Sequence, residues 1–478
     1  MDIGQPDRWH FVTNGHRSLL RTSGPWASYR LLFKLPLQFN RYAHLSPSIG
    51  PHAVGHESVT LILHDALMLA PTTRLRVLML SDVYFPRVNG VSTSISTFRH
   101  DLELLGCDSV LVAPQYAQRR EDEAGILRIR SRYIPFDPED RMMSAAAAAA
   151  ACAELGIKFD VVHIQTPFVA HKVGLDVAKR LGCGTVETYH TYFEQYFHHY
   201  VRWLPKGVLQ RSARTLSRAQ CNAVDRVIAP SDAMARLLRD YGVMTPIDVV
   251  PTGLDMKDFE GGDGVRFRAE GSISPDRPVM LHVGRVAHEK NIGFVLEVLG
   301  RVRTVVPDVL LVVAGEGPAH GWLRREVAQR GLGEHVMFVG YLDRRTALLD
   351  CYRSADVLVF ASKTETQGLV PLEAMAIGTP VVSTAVLGTA EVIGPGRGAI
   401  AAREDIDEFA RAVIDVLRSP SLRETLSQEA RRYVAECWSS AAMARRLIAI
   451  YEERVSANRA EHDRTPTPLR GRAPSWRL

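Results

Sequence analysis

Two glutamates, Glu365 and Glu373, stand on either side of a turn in the segment FASKTETQGLVPLEAMAIGTP at 360–380. The apolar residues before the turn are typical of a buried strand, and the residues after Gly368 are typical of a helix that Gly378 ends. A helix start has free backbone N–H groups and attracts anions. Two carboxylates beside such a start suit a ligand with both hydroxyls and phosphates, such as a nucleotide sugar.

A second group of candidate ligands follows another predicted strand. Gly284 and Arg285 end this strand, and Glu289, Lys290 and Asn291 precede a helix for which Asn291 is the predicted N-cap. Arginine binds phosphate through paired hydrogen bonds, and lysine supplies a point charge. Arg285 and Lys290 are therefore candidates to hold a diphosphate, although surface charges beside a helix cap would show the same pattern.

Two candidates lie in the first half of the chain. Gly90, in SDVYFPRVNGVSTS, precedes a helix that begins with serine, where the backbone could approach a phosphate or a sugar. A simple turn is the alternative, and the spacing is not that of a dinucleotide fingerprint. His190 ends a predicted strand, and a sugar contact, acid–base work and a buried structural role remain open for it. We predict no metal site, because His198, His199 and Glu194 match no zinc motif.

The segment 206–218, KGVLQRSARTLSR, predicts a basic amphipathic helix. Its cations Lys206, Arg211, Arg214 and Arg218 alternate with apolar residues, and helices of this kind lie on anionic membranes. A solvated helix face packed on a sheet is the alternative. Aromatic residues just before the segment favour membrane contact: Tyr192, Phe193, Tyr196, Phe197, Tyr200 and Trp203.

The composition is that of an ordinary soluble protein, with 478 residues, 46% hydrophobic and 23% charged. The net charge of +5 does not by itself indicate nucleic acid as a partner. No apolar run approaches the ~18 residues of a transmembrane helix, and the N-terminus lacks a signal-peptide core. The six cysteines are scattered without a C-x-x-C pair, which favours a reducing, cytoplasmic compartment.

Short apolar runs alternate with helical stretches along the chain, and this predicts an α/β protein with two doubly wound, Rossmann-like domains. Ligands of such sheets bind at the carboxyl ends of the strands, so we predict one site in a cleft between the domains. One further helix is expected to open at Asp137-Pro138-Glu139 and to continue through the alanine tract at 145–151. The predicted strands are 75–82, 109–114, 159–167, 184–190, 225–231, 247–250, 279–285, 309–317, 335–341, 356–362 and 379–384.

The same pattern gives the expected boundaries. Residues 1–70 are predicted to be a poorly ordered extension, or to precede the true start near Met68. The N-terminal domain is expected at 71–252 and the C-terminal domain at 253–438. A last helix at 439–455 is expected to return toward the N-terminal domain, and the basic, polar tail at 456–478 is predicted to be disordered.

From about Leu75 to Tyr451 the chain resembles the retaining GT-B glycosyltransferases of the glycosyltransferase 4 family. The resemblance rests on motifs in the family's order: Gly284-Arg285…Glu289-Lys290, Gly315-Glu316-Gly317-Pro318, Glu365…Glu373 and Gly378-Thr379-Pro380-Val381-Val382. It implies the GT-B architecture, in which the N-terminal domain binds the acceptor and the C-terminal domain binds the nucleotide sugar across a cleft.

The resemblance also implies residue roles on the phosphate side of the site. Arg285 and Lys290, next to Gly284, hold the donor diphosphate, and Gly90 offers backbone contacts near the phosphates. No metal and no other cofactor is implied, because cationic side chains and helix dipoles stabilise the leaving nucleotide.

The sugar side is implied in the same way. Glu365 holds the transferred sugar together with the amides of Gln367, Gly368 and Leu369, and Glu373 binds the ribose. His190 contacts the sugar near its reacting carbon. The implied catalytic residues are His190, Glu365, Arg285 and Lys290.

The segments 188–200 and 364–369 are similar to those of bacterial diacylglycerol α-glucosyltransferases, and Gln367 stands where many relatives have an aromatic residue. We therefore expect transfer of a hexose, with UDP-glucose favoured, to a lipid hydroxyl such as that of diacylglycerol, with an α bond formed. The enzyme would be peripheral on the anionic inner face of the cell membrane. The alternatives are a GDP-mannose-dependent mannosyltransferase acting on phosphatidylinositol or a soluble sugar, a nucleotide-sugar epimerase and a non-catalytic sugar-nucleotide binder.

Overall fold

The computed structural model describes residues 74–117, 124–134, 137–192 and 206–464 of the chain. These residues form two α/β domains, each built on its own parallel sheet, so the predicted fold class is confirmed. Several predicted features lie outside the described residues: the extension at 1–70, Phe193, Glu194, Tyr196, His198, His199 and the tail from residue 465 on.

The strands of the N-terminal domain follow the predicted apolar runs. They are β1 (Arg76–Leu80), β2 (Asp108–Pro114), β3 (Ile126–Ile129), β4 (Ser131–Ile134), β5 (Asp137–Met143), β6 (Val161–Ile164), β7 (Gly184–Thr188), β8 (Arg226–Ala229) and β9 (Ile247–Val249). Seven of them form a parallel sheet in the order β3-β2-β1-β6-β7-β8-β9. In β1, Leu78 and Leu80 enter the core on one face and Val77 and Met79 on the other, which explains a run without polar residues.

The helices of this domain are α1 (Gly90–Leu104), α2 (Ala145–Glu154), α3 (Val169–Leu181), α4 (Lys206–Cys221) and α5 (Asp232–Asp240). The helix predicted to open at Asp137 is wrong. That stretch is β5, which pairs antiparallel with β4, and α2 begins only after Ser144. The Ser144 hydroxyl accepts from the Ala147 N–H, and the Asp-Pro pair that can open a helix serves here in a strand instead.

The C-terminal domain repeats the arrangement with a six-stranded parallel sheet in the order β12-β11-β10-β13-β14-β15. Its strands are β10 (Val279–Val283), β11 (Leu310–Ala314), β12 (Val336–Gly340), β13 (Val357–Phe360), β14 (Val381–Ser383) and β15 (Ala399–Ala401). Its helices are α6 (Gly264–Glu270), α7 (Ile292–Arg303), α8 (His320–Gln329), α9 (Ala347–Ser354), α10 (Leu369–Ile377), α11 (Thr389–Val392), α12 (Ile406–Arg418) and α13 (Pro420–Cys437).

The chain crosses between the domains twice, and the two crossings lie side by side. The first follows β9 and the second follows α13. The Leu254 N–H donates to the Trp438 carbonyl at 2.7 Å, and the Ser440 N–H donates to the Leu254 carbonyl at 3.1 Å. Gly253 passes so close that a Cβ there would lie 2.4 Å from the Cα of Ser440.

The second crossing leads into α14 (Ser440–Arg464), which packs on the N-terminal domain. Leu447 and Tyr451 are buried in the same core cluster as β1. The helix runs past its predicted end at Val455, so the prediction of disorder is wrong for 456–464. Helix-forming residues continue there, and the Asn458 side chain donates to the Gly182 carbonyl at 2.6 Å.

Candidate active site

The first part of the site is the loop that joins β13 to α10. Gly368 adopts a left-handed φ of +101° directly before the helix, and a Cβ there would lie 2.7 Å from the Thr389 Cγ2. No side chain caps this helix start. Gly378 ends the helix in the left-handed conformation, as the sequence predicts. Glu365 therefore lies in the loop and Glu373 in the helix.

Glu365 is paired with Lys290. The Lys290 ammonium donates to the Glu365 Oε1 at 2.5 Å, and the two side chains are 16% and 20% exposed. Burial alone would raise the pKa of Glu365, but the charge and hydrogen bond of Lys290 outweigh burial and hold this pKa below its usual value. The pair is thus an ionised carboxylate and a cation within reach of a ligand.

The turn before α7 brings Lys290 to this loop. A short 3-10 turn, His288–Lys290, follows β10, and the Lys363 N–H donates to the Glu289 carbonyl at 3.2 Å. Asn291 is the N-cap residue of α7, as predicted, although its side chain makes no capping hydrogen bond. Its amide donates instead to Glu404 at 3.0 Å, because a left-handed φ of +56° places the residue outside usual cap geometry.

Gly284 and Arg285 lie at the end of β10, beside the glycines of the Gly315-Glu316-Gly317 turn. A Cβ on Gly315 would lie 1.9 Å from the Gly284 carbonyl oxygen, so only glycine fits where the two strand exits meet. Arg285 is half-buried at this edge. Arg285 and Lys290 both follow β10, so two cations lie on one side of the cleft.

Glu373 lies in a different environment from Glu365. It is only 2% exposed; the Arg344 guanidinium donates to its Oε1, and the Tyr352 hydroxyl donates to its Oε2 at 3.0 Å. Burial, followed by the Glu373 charge, raises the pKa of Tyr352 well above its usual value, so the hydroxyl keeps its proton and donates. Sequence reasoning missed Arg344, although a charged turn directly after a strand was the signal that could have found it.

The N-terminal domain supplies the opposite wall. The His190 Nε2 lies 2.9 Å from the Gln165 Oε1, and burial lowers the pKa of His190 to about 4. Thr366, next to Glu365, donates its hydroxyl to the His190 carbonyl at 3.1 Å. Ser231 caps α5 and also donates to the Thr366 carbonyl at 2.6 Å. The loop that carries Glu365 is therefore hydrogen-bonded to the N-terminal domain beside His190.

The start of α1 faces the same place. Asn89 caps this helix through the Ser92 N–H, and Gly90 is its first residue. A Cβ on Gly90 would lie 3.9 Å from the Leu369 Cδ1, so the starts of α1 and α10 are neighbours. Two helix N-termini converge on the cleft, which is the arrangement that attracts an anion.

Gln367 points away from this convergence. Its side chain is 5% exposed and makes both of its hydrogen bonds to the backbone of Thr252 in the first crossing between the domains. Of Gln367, only the backbone amide is therefore left as a candidate for the sugar contact, together with the amides of Gly368 and Leu369.

The predicted basic helix is α4. Leu209, Ala213 and Cys221 are buried under it against the sheet, as in the alternative interpretation, whereas Val208 and Leu216 are 49% and 43% exposed. The cations Arg211, Arg214 and Arg218 are exposed too. Tyr192 is half-buried just before the undescribed segment. The outer face of α4 is thus basic with apolar side chains between the charges.

Across the described ranges, no three His, Cys, Asp or Glu side chains converge as metal ligands. None of the helices in that part of the chain is long and apolar enough to cross a membrane. All six cysteines are free thiols.

Comparison with known proteins gives two family models that match the chain. The model described as Glycosyltransferase Family 4 matches residues 88–258, and the model described as Glycosyl transferases group 1 matches residues 266–433. An alpha-monoglucosyldiacylglycerol synthase of Streptococcus pneumoniae is 33% identical over 320 residues, which cover 65% of this chain and 71% of that protein. The chain belongs to the glycosyltransferase 4 family. It is a hexosyltransferase with the GT-B architecture.

Other relatives of this glycosyltransferase include one with the same printed name and one whose name states different substrates. An alpha-monoglucosyldiacylglycerol synthase of Acholeplasma laidlawii is 26% identical over 370 residues, covering 74% of this chain and 92% of that protein. A GDP-mannose-dependent alpha-(1-6)-phosphatidylinositol dimannoside mannosyltransferase of Mycobacterium tuberculosis is 25% identical over 349 residues, covering 72% and 88%.

Solved structures share the fold of this glycosyltransferase. A sucrose-phosphate synthase of Thermosynechococcus elongatus aligns with a TM-score of 0.67 at 22% identity, over 80% of this chain and 100% of that one. The HepE protein of Anabaena, in complex with UDP and glucose, aligns with a TM-score of 0.64 at 15% identity, over 79% and 100%.

Proposed function

We propose that this glycosyltransferase moves glucose from UDP-glucose to the hydroxyl of a diacylglycerol-like lipid and retains the α configuration. The observation that carries the proposal is the Lys290–Glu365 pair, which lies beside the open start of α10, in a loop whose Thr366 bonds the His190 carbonyl. The names of two relatives support the lipid acceptor, and the UDP and glucose bound to the HepE protein support the donor.

On the donor side, Arg285 and Lys290 hold the diphosphate, and the starts of α1 and α10 add their N–H dipoles around it. These groups stabilise the negative charge that develops on the leaving UDP, which is the largest electrostatic demand of the reaction. The ribose contact of Glu373 requires the Arg344 guanidinium to turn away, since the carboxylate is only 2% exposed behind it.

On the sugar side, Glu365 accepts hydrogen bonds from the glucose hydroxyls. His190 is neutral at physiological pH because its pKa is about 4. When its Nε2–H donates to the Gln165 carbonyl oxygen, its Nδ1 is left as an acceptor for a sugar hydroxyl. The sugar passes through an oxocarbenium-like state, and the acceptor hydroxyl attacks from the face that UDP leaves.

The outer face of α4 supports the proposed lipid acceptor. Its exposed Arg211, Arg214 and Arg218 attract anionic headgroups, and the exposed Val208 and Leu216 enter the headgroup region. The acceptor hydroxyl of diacylglycerol lies at that same depth of the bilayer, so binding of α4 brings the cleft to its substrate.

A panel of donors crossed with acceptors tests the reaction. UDP-glucose, UDP-galactose, UDP-GlcNAc and GDP-mannose are each offered with diacylglycerol vesicles, phosphatidylinositol vesicles and soluble sugars. We expect a glucosyl-diacylglycerol product from UDP-glucose, identified by mass, with an α-anomeric proton in its NMR spectrum. A product only from GDP-mannose would establish the mannosyltransferase alternative that one relative's name supports, and a β-anomer would contradict retention.

The Glu365→Gln variant tests the carboxylate in the same assay. We expect transfer to fall about a hundredfold, because the amide cannot hold the sugar hydroxyls or balance Lys290 as a charge does. Unchanged far-UV circular dichroism would show that the protein is folded. Full activity would remove Glu365 from the site.

Vesicle binding tests α4. Replacing Lys206, Arg211, Arg214 and Arg218 together with glutamine is expected to weaken binding to anionic vesicles roughly a thousandfold, from about 1 kcal/mol per basic residue. The matched control replaces four exposed arginines elsewhere and should bind as the wild type does: Arg325, Arg418, Arg432 and Arg445. Equal co-sedimentation of the two variants would contradict membrane docking by α4.

A further inference from the structure

The loop that carries Glu365 is fixed by the other domain at several points. Directly after Glu365, the Thr366 carbonyl accepts from the Ser231 hydroxyl at 2.6 Å, and the Thr366 hydroxyl donates to the His190 carbonyl at 3.1 Å. The next residue, Gln367, reaches the crossing between the domains. Within its own domain, the Glu365 carbonyl accepts from the Gly388 N–H at 3.0 Å. The backbone position of Glu365 is thus set by both domains.

The Gln367 contact is the most specific of these. The Thr252 N–H donates to the Gln367 Oε1 at 2.8 Å, and the Gln367 Nε2 donates to the Thr252 carbonyl at 2.7 Å. The two residues are 5% and 3% exposed. A side-chain amide carries an acceptor and a donor side by side, so it can pair with both backbone groups of one residue as a neighbouring strand would. Glutamate lacks the donor, and asparagine is one methylene shorter.

The contact continues into the N-terminal domain. The Thr252 hydroxyl donates to the hydroxyl of Ser94, in α1, at 2.7 Å. Gln367, Thr252 and Ser94 therefore form one buried chain from the sugar-binding loop, through the first crossing, to the helix whose start faces α10. Because both polar atoms of the Gln367 side chain bond Thr252 and the residue is only 5% exposed, the side chain is not placed to recognise a substrate.

We propose that Gln367 is a positioning residue that locks the Glu365 loop to the first crossing between the domains and so sets Glu365 against the sugar. This deepens the proposed function, because it rests on Glu365 as a sugar ligand. In this proposal Gln367 aligns the two walls of the cleft and does not recognise the acceptor lipid.

The Gln367→Met variant tests the lock, since methionine has a similar length without hydrogen-bonding groups. We expect kcat/KM to fall roughly tenfold to a hundredfold, because Glu365 is misplaced. The affinity for UDP should stay within about twofold of wild type, because UDP lacks the transferred sugar. Gln367→Glu, which puts a carboxylate oxygen against the Thr252 carbonyl oxygen at a buried site, should lower kcat/KM at least as much as Gln367→Met. Gln428→Met changes an exposed glutamine on α13 and should match wild type.

A second measurement is independent of transfer. Amide hydrogen exchange, read on peptides that contain Thr252 and the 364–369 loop, is expected to speed up about tenfold in Gln367→Met and to stay unchanged in Gln428→Met. An unchanged rate of amide exchange in Gln367→Met would overturn the lock. A wild-type kcat/KM in this variant would also overturn it. So would a loss of UDP affinity in proportion to the loss of kcat/KM. If the wild type transfers no hexose, the proposed function fails, while the exchange result still decides the lock.

Discussion

The loop before α10 and the helix itself each carry one carboxylate, and the two are held in opposite ways. Glu365, in the loop, has a 20% exposed side chain and is paired with Lys290, which is itself partly exposed. Glu373, in the helix, is 2% exposed and is bonded by both Arg344 and Tyr352. A carboxylate on the open side of a loop can exchange its partner for a ligand. One that two partners bond inside a helix mainly stabilises the fold.

The largest expected effect is at the exposed pair. In Lys290→Met, kcat/KM for transfer should fall about a hundredfold to a thousandfold, because the leaving diphosphate loses a preorganised cation. The control is Lys363→Met, since Lys363 lies on the Glu365 loop but pairs with Glu404 at the surface. Steady-state kinetics measure both. If Lys290→Met kept more than a tenth of wild-type activity, Lys290 would not be a diphosphate ligand.

The helical carboxylate should respond mainly in stability. Glu373→Gln leaves the Arg344 guanidinium beside a neutral group, so the free energy of unfolding should fall by about 3 kcal/mol. Donor affinity should fall about tenfold if the ribose contact is also lost. Urea denaturation and UDP titration measure the two quantities. If Glu373→Gln had the same free energy of unfolding as Glu365→Gln, the two carboxylates would not differ in their contribution to stability.

The pH dependence of kcat/KM should test the pairing of Glu365 with Lys290. Because the pKa of Glu365 lies below its usual value, the carboxylate is ionised above that value, and its stabilising contribution is lost only as pH falls through the lowered pKa. Wild-type kcat/KM should therefore vary no more than about threefold between pH 5 and 7 from this group. In Lys290→Met, burial is no longer opposed, the pKa of Glu365 rises, and activity should decline toward pH 5. A parallel decline in wild type would show that Lys290 does not hold Glu365 ionised.

A smaller loss of stability than that of Glu373→Gln is expected at Tyr352. Tyr352→Phe removes one donor to the buried Glu373, which should cost roughly 1.5–3 kcal/mol in the free energy of unfolding and leave kcat/KM within about twofold. Arg344 still pairs with the carboxylate in this variant. Thermal denaturation and transfer assays on the same preparation compare the two effects. A large loss of activity without a loss of stability would place Tyr352 at the substrate.

The sequence predicts the two sheets because strands buried on both faces leave uninterrupted apolar runs, as in β1 and β10. It predicts Glu365 and Lys290 as neighbours of a helix start, since each follows a strand at the same edge. It does not predict β3 or β15, whose short runs resemble loop segments. The helix expected at Asp137 fails because an Asp-Pro pair is compatible with several local conformations.

Contacts between distant parts of the chain could not be read from the sequence. The partners Gln367 and Thr252 are 115 positions apart, and the pair of Arg344 with Glu373 depends on how the turn after β12 folds back over α10. Local patterns report burial and chain direction, and they carry no information on which side chain of another element will lie opposite.

The return of α14 to the N-terminal domain has a consequence for the order in which a newly made chain folds. Five residues of α14 complete a core whose other buried members lie between Val77 and Val250: Met443, Ala444, Leu447, Ile450 and Tyr451. Domains commonly fold in the order of their synthesis. Here the N-terminal domain must wait for α14 before its core can close, so nascent chains would expose this apolar face until α14 has been made.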